Sequence, residues 1–377
     1  MERDGEVNQV NPILAVDDHR IKRTTYDQNK ERHAPTIFAY IGQLKLLLSS
    51  IQFFTMLFTS SPKIFNVIYI GAAPGLSIPI IDSLFPGRIA QWLLYDPGTF
   101  AGDFCKTLCS ADPKRFKIFR EYFTEAVANV LLEQKIILPE ETVIMFDHRT
   151  SDKTRAKMLA DWKLSCDTIM LIRPFAAWIK YRLPWPENDH DAITGIGGRI
   201  FIEPCTAQFS AEARMFCFSE DIQRFLKGQT TKYNLKDYEQ CMFDYNLHAR
   251  WQVTGQKTIM GLDYGNDVQI IIDIATKYLG WRNSKEPSLN EVETFVRQCE
   301  QDLATRSLCD TPLAVCPDLT PEERIKSPEM LKAIHKERQL QDTKRGKSPE
   351  KKKCASCKKP FTPKQSFHKY CGACSKK

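Results

Sequence analysis

Residues 66–75 read NVIYIGAAPG, and 21 residues after Gly75 a second apolar run, QWLLYD, ends at Asp96. A buried strand that stops at glycine lets the backbone approach a ligand closely, and a carboxylate at the tip of the next strand can hold both hydroxyls of a ribose. The two runs therefore predict neighbouring parallel strands that grip a nucleoside. The turn itself, Gly71, Ala72, Ala73, Pro74 and Gly75, lacks the middle glycine and the spacing of the GxGxxG dinucleotide turn. Its proline stiffens the loop instead, which suits a nucleoside ligand without phosphates such as S-adenosylmethionine (SAM), although a plain core strand and turn would use the same residues.

Around this turn the pattern predicts a helix from about Gly42, a strand at Val67 to Ile70, a helix after Pro79 and a strand at Trp92 to Tyr95. Further strands are expected at Lys117 to Phe119, Thr142 to Phe146, Thr168 to Ile172 and Arg199 to Ile202, with ARMFCF (213–218) and TIMGLDY (258–264) as later candidates. Strands alternating with helical segments imply an α/β fold with a mainly parallel, Rossmann-like sheet covered on both faces. Strand signals stop after Gly280, and residues 286–342 read as two helices around a looser segment at 310–320. The expected division is an N-terminal arm (1–29), the main domain (30–285), a helical and basic linker (286–350) and a small C-terminal finger (351–377).

A chain of 377 residues that is 42% apolar and 26% charged can bury a full core, which excludes fibrous and disorder-dominated classes. The first residues, MERDGEVNQVNP, contain no signal-peptide core, and the longest apolar run, Leu46 to Phe58, is too short to span a bilayer. Ser49, Gln52 and Thr55 recur in that run at helical spacing, which predicts an amphipathic helix of a protein that is neither secreted nor membrane-embedded.

Thirteen cysteines are present, and nine lack regular spacing, as for free thiols in a reducing compartment. Cys354, Cys357, Cys371 and Cys374 form C-x2-C-x13-C-x2-C, the spacing of a tetrahedral zinc site. From Thr343 onward the tail holds twelve Lys/Arg and one Glu, a net +11, so against +7 for the whole chain the remainder is near −4. The basicity is local to the finger and its approach.

Four segments place an ionisable residue beside an apolar element, where an unpaired charge is costly: Lys45 in GQLKLLL, Asp147 in MFDHR, Lys180 in AAWIKYRLPWPE and Glu212 in FSAEARM. Each has an ordinary reading. Lys45 continues the polar stripe of its helix, Asp147 caps a turn, Lys180 is a solvated loop lysine, and Glu212 opens an edge strand.

Taken together, VIYIGAAPG, GQLKLLL, DHR, the lysine before YRLPWP, and FSAEARM resemble, in order and separation, the poxvirus cap-specific mRNA 2′-O-methyltransferases, which are also the small subunits of the poxvirus poly(A) polymerase. The resemblance covers roughly residues 26 to 275 and leaves out the C-terminal hundred. It implies a SAM-dependent Rossmann-like methyltransferase acting on the ribose 2′-OH of the first transcribed nucleotide of capped mRNA, with a Lys-Asp-Lys-Glu tetrad at Lys45, Asp147, Lys180 and Glu212.

A ribose hydroxyl must lose its proton as it attacks the methyl group, and a lysine can take that proton only when its amine is neutral, about three units below its usual ~10.4. Lys180 is accordingly expected to act as general base, with Lys45 lowering its pKa, Asp147 orienting it at the cofactor and Glu212 fixing both lysines. The cofactor residues implied are Gly71 to Gly75, Asp96, Tyr122 and Asp147. An N7-methylated guanine is cationic and best held between aromatic faces with carboxylates on its edge. The resemblance puts Tyr26 and Trp185 at the stacking positions and Glu187 and Glu239 on the edge.

The chain departs from the poxvirus pattern after the ribose-binding acid, reading DPG, so Gly98 stands where an arginine is expected. The implied partners are capped mRNA and a poly(A) polymerase catalytic subunit or viral transcription machinery, in the virion or host cytoplasm of a large DNA virus. A non-catalytic, processivity-type RNA-binding subunit is the alternative. A nicotinamide dehydrogenase is disfavoured by the missing GxGxxG.

Overall fold

In the computed structural model, residues 41–101, 112–148, 154–205, 212–247, 265–308, 352–353 and 360–361 are described. The strands β1 (Phe65–Ile70), β2 (Ile89–Tyr95), β3 (Phe116–Phe119), β4 (Thr142–Phe146), β5 (Ala176–Tyr181), β6 (Ala192–Gly195), β7 (Arg199–Ile202), β8 (Ala213–Cys217) and β9 (Thr231–Asn234) follow in chain order. Seven of them form one sheet in the order β3-β2-β1-β4-β5-β8-β7. All neighbours are parallel except β8, which runs antiparallel to both β5 and β7. β6 and β9 form a separate antiparallel pair.

Strand order reverses between β1 and β4, and the crevice beyond the carboxyl ends of two such strands is where open α/β sheets bind ligands. Every residue of β4 is buried and β1 is nearly so. That is expected of parallel strands covered on both faces, and it explains why these segments read as unbroken apolar runs.

The helices are α1 (Ile41–Ser60), α2 (Ile78–Leu84), α3 (Glu125–Glu133), α4 (Arg155–Ile172), α5 (Ser219–Leu226), α6 (Leu235–Leu247), α7 (Gly265–Asn283) and α8 (Leu289–Leu308). α1 is buried more deeply than an amphipathic surface helix with Ser49, Gln52 and Thr55 on its polar face would be: Ser49 and Thr55 are buried and Gln52 is partly exposed. It is sandwiched, with Phe53 against Phe216 and Phe54 against Trp92 on the sheet side, and with α7 and α8 packed on it elsewhere. Ser49 is buried, and its hydroxyl accepts a hydrogen bond from the Trp178 indole at 3.0 Å. The indole thus satisfies the Ser49 hydroxyl, whereas the equally buried Thr55 hydroxyl finds no partner among the described residues.

A second correction concerns residues 168–172, expected as a strand. They form the last turns of α4, which closes at Arg173 in the left-handed conformation, φ 56°, just before Pro174. The strand comes next, as β5, and it carries Lys180 inside the sheet rather than in a solvated loop. A five-residue apolar run is compatible with either a strand or a buried helix end, and here Trp162, Cys166, Ile169 and Ile172 supply the helical face that reaches the core.

The chain divides into two compact units, Met1–Asp318 and Leu319–Lys377. α8 packs on α1 and α7 within the first. In the second, β10 (Lys352–Lys353) pairs antiparallel with β11 (Pro360–Phe361). The N-terminal arm, the candidate strand at 258–264, the looser segment at 310–320, the second helix expected before residue 342, and all four tail cysteines lie outside the described residues.

Candidate active site

The turn after β1 is pinned to β2. The amides of Gly71 and Ala72 donate to the Tyr95 carbonyl at 2.8 and 3.4 Å, and the Ala73 amide donates to Asp96 Oδ2 at 3.1 Å. Gly71 has φ +83°, and a Cβ there would lie 2.5 Å from the His148 nitrogen, so only glycine lets this turn pass the end of β4.

Asp96 Oδ1 accepts from the Gly98 amide at 2.6 Å. A Cβ on Gly98 would sit 2.8 Å from that oxygen, so a larger residue at this position would require the Asp96 carboxylate to shift. Each Asp96 oxygen keeps a second lone pair, so the carboxylate can still accept ribose hydroxyls. Tyr122 follows the carboxyl end of β3 by three residues and is 75% exposed.

At the opposite flank of the crevice a buried charge cluster assembles. β4 delivers Asp147, whose amide donates to the Ile70 carbonyl at 2.8 Å. β5 delivers Lys180, and the β5–β8 register sets Lys180 directly across from Arg214. Opposed residues of antiparallel strands project to the same face, so both cations meet the acids there. α1 brings in Lys45. Ile202 pairs with Ala213, which puts Glu203 and Glu212 together at the mouths of β7 and β8.

Lys180 Nζ stands 2.8 Å from Asp147 Oδ1 and 3.3 Å from Glu212 Oε1. Lys45 Nζ donates to Glu212 Oε1 at 2.5 Å and lies 3.5 Å from Glu203 Oε2. Arg214 Nη2 reaches Asp147 Oδ1 at 3.0 Å and Glu212 Oε1 at 2.8 Å, while its Nε is 2.9 Å from Glu203 Oε1. The guanidinium is fully buried and stacks on Trp178, 4.4 Å from the ring centre. Three cations thus face three carboxylates.

Burial lowers the Lys180 pKa, and the Asp147 and Glu212 carboxylates only partly restore it. Burial raises Asp147 and Glu212, but the surrounding cations overcome it: Lys180 and Arg214 bring Asp147 down, and Arg214, Lys180 and Lys45 hold Glu212 well below the carboxylate range. For Glu203 burial wins, and its pKa is raised despite Arg214 and Lys45. Arg214 stays charged, because its three acids more than offset burial. The arrangement is chemically suited to a proton-accepting amine: a lysine biased toward its neutral form and held in place by hydrogen bonds to acids that remain ionised.

The four tetrad side chains are therefore brought together, and Glu203 and Arg214, which the motif resemblance does not include, join them. Arg214 was visible in principle. In AEARMFCF it is the one charge inside an apolar strand and shares a face with Glu212 two residues earlier. Glu203 was visible in the same way as Asp147, since it directly follows the expected strand at Arg199 to Ile202.

A second group of expected residues lies on α6 and the loop after β5. Trp185, 42% exposed, stacks on Phe243 with ring centres 5.3 Å apart and packs near Tyr238 of the same helix, which also carries Glu239. Glu239 pairs with Lys236 at 2.9 Å. Arg155, at the start of α4, donates to the Trp185 carbonyl and contacts Glu187 and Asp191 at 3.3 and 2.6 Å. Tyr26 lies outside the described residues.

The mostly parallel sheet, with the glycine-bounded turn at its switch point and the buried charge cluster beside it, defines a Rossmann-like α/β protein with a candidate site at the carboxyl rim. The chain belongs to the poly(A) polymerase regulatory subunit family, whose model matches residues 9–291. It is similar to the cap-specific mRNA (nucleoside-2′-O-)-methyltransferase of fowlpox virus (strain NVSL), with 27% identity over 249 residues that cover 64% of this chain and 76% of the relative. The protein of the same name from myxoma virus (strain Lausanne) is 24% identical over 255 residues, 64% of this chain and 69% of that one.

Proposed function

We propose that this protein is a viral cap-specific mRNA 2′-O-methyltransferase that uses SAM. The observation that carries the reading is the convergence of Lys45, Asp147, Lys180 and Glu212 at the switch-point rim, beside a turn and a strand-tip acid suited to a nucleoside without phosphates. Gly71 to Gly75 and Asp96 would hold the nucleoside, with Tyr122 at the rim beside it. When bound, SAM supplies an electrophilic methyl group. Lys180 Nζ accepts the proton of the attacking ribose hydroxyl, Asp147 and Glu212 fix its direction, and Lys45 and Arg214 oppose its protonation.

The direct test is to incubate the protein with labelled SAM and capped RNA and to locate the label. Label on the 2′-oxygen of the first nucleotide is expected. The alternative, a non-catalytic subunit of a viral poly(A) polymerase, is favoured by the family's description alone. It predicts no transfer at any pH together with stimulation of polyadenylation.

Cap recognition is assigned to Trp185, Glu187, Glu239 and Tyr26. Trp185 has one face against Phe243 and remains half-open to solvent. Trp185→Ala should weaken N7-methylated cap binding by about 2 kcal/mol, roughly 30-fold, with little change for uncapped RNA. Equal weakening of both in a fluorescence titration would make Trp185 a general stacking residue.

For the tail, the cysteine spacing supports a structural zinc at Cys354, Cys357, Cys371 and Cys374, and the +11 charge supports contact with RNA downstream of the cap. Metal analysis of the purified chain should find one zinc that is lost in a Cys354→Ser/Cys371→Ser variant. With about four phosphate contacts, the tail's contribution to RNA affinity should fall roughly 50-fold between 50 and 200 mM salt. Deleting residues 343–377 should flatten the salt slope, and an unchanged slope would point to protein docking instead.

A further inference from the structure

Glu203 is the member of the charge cluster to which the reading above gives no task. It follows β7, is 1% exposed, and touches two cations on different elements, Arg214 Nε at 2.9 Å and Lys45 Nζ at 3.5 Å. Neither of its oxygens makes a well-aligned hydrogen bond among the described residues, so these contacts are electrostatic. A buried carboxylate in that state is costly unless it serves the charges around it.

The connectivity shows what it serves. Arg214 and Lys45 are also the cations that compete with Lys180 for Asp147 and Glu212: Arg214 contacts both acids, and Lys45 contacts Glu212. With Glu203 ionised, three carboxylates are shared among three cations. Without its charge, two carboxylates serve all three, and Lys180 faces the full field of its two cationic neighbours.

We propose that Glu203 is a positioning residue for Lys180: by engaging Arg214 and Lys45 it leaves Asp147 and Glu212 to Lys180, and so sets the pH at which that amine gives up its proton. The inference rests on the assignment of Lys180 as the proton acceptor. The charged and titratable groups that act on Glu203 are Lys45 from α1, Tyr69 from β1, Asp147 beyond β4, and Glu212 and Arg214 at β8, while Lys180 on β5 is reached through Asp147 and Glu212. Tyr69 is buried and its phenol is pushed well above its usual range, chiefly by burial, so it stays neutral and adds no competing charge.

The sign follows from the charge count. Removing a negative charge from the cluster disfavours the Lys180 ammonium, so its titration moves to lower pH. Nearby opposite charges shift a buried group by about one to three units, and Glu203 acts through intermediaries, so a shift of about one unit is expected.

The test follows the Lys180 amine directly, by NMR titration of ¹³C-labelled lysine, alongside the pH–rate profile for capped RNA. Glu203→Gln, which keeps shape and removes charge, should lower the Lys180 midpoint by about one unit and move the acid limb of the rate profile with it. Glu203→Asp, which withdraws the charge by one methylene, should move both in the same direction by less, and it keeps the inference testable if the glutamine variant does not fold. A midpoint that stays in place or rises in the folded variants overturns the proposal. If the midpoint falls but the wild-type protein transfers no methyl group, the coupling stands and the methyltransferase reading fails.

Discussion

Lys180→Ala is expected to abolish methyl transfer while SAM binding persists. Removing a general base typically costs ~10² to 10⁴-fold, and the substituted side chain also loses the contacts to Asp147 and Glu212 that aim it. The Gly71–Gly75 turn proposed to hold the cofactor, and Asp96, are held by hydrogen bonds from backbone amides that Lys180 does not touch, so calorimetry should still show cofactor binding. Lys180→Arg should fail too, because a guanidinium does not deprotonate near neutral pH.

The pH dependence has a definite sign. Burial and neighbouring cations lower the Lys180 pKa, so the wild-type rate should rise with pH and reach its plateau below the ~10.4 of a free lysine. Substantial turnover by either variant at neutral pH would remove Lys180 from the chemistry.

The largest stability loss is expected from Arg214→Met. The side chain is fully buried, stacked on Trp178, and bonded or paired to Asp147, Glu203 and Glu212. Its removal leaves three buried carboxylates to two lysines. Breaking a buried ion pair from one side costs about 3–5 kcal/mol, a large share of the 5–15 kcal/mol that holds a typical domain together.

Urea denaturation should therefore show a much lower midpoint, or the variant should be insoluble. Adding Glu203→Gln to Arg214→Met restores the balance of charge and should recover part of the loss, giving a non-zero coupling in a double-mutant cycle. A loss below about 1 kcal/mol would mean that the acids find other partners or protonate without cost.

These two residues also mark the boundary between what local sequence carries and what it does not. Lys180 drew attention because it is charged beside an apolar run, yet its strand was misplaced by one element: residues 168–172 read as a strand and are helix, and the strand is Ala176–Tyr181. The purely local reading of Lys180 as a solvated lysine was therefore plausible. The grouping of Lys45, Asp147, Lys180 and Glu212 came from a resemblance of motifs, since periodicity says nothing about which strand ends meet.

Sequence alone determined the α/β class, the glycine turn at the end of β1, the acid at the tip of β2 and the cysteine spacing of the tail. These are local properties, fixed by side-chain period, by the conformational freedom of glycine and by ligand spacing within a few residues. Tertiary structure alone decided that Ser49 and Thr55 of α1 are buried, that the Gly98 amide turns back onto Asp96, and that Glu203 and Arg214 complete the charge cluster. The reason is range: the Lys45–Glu212 contact joins residues 167 positions apart. It exists only because the order of the strands sets β8 antiparallel beside β5 and lays α1 across the sheet. Hydrophobic period records whether a residue is inside, whereas the identity of the charge it meets there is set by topology.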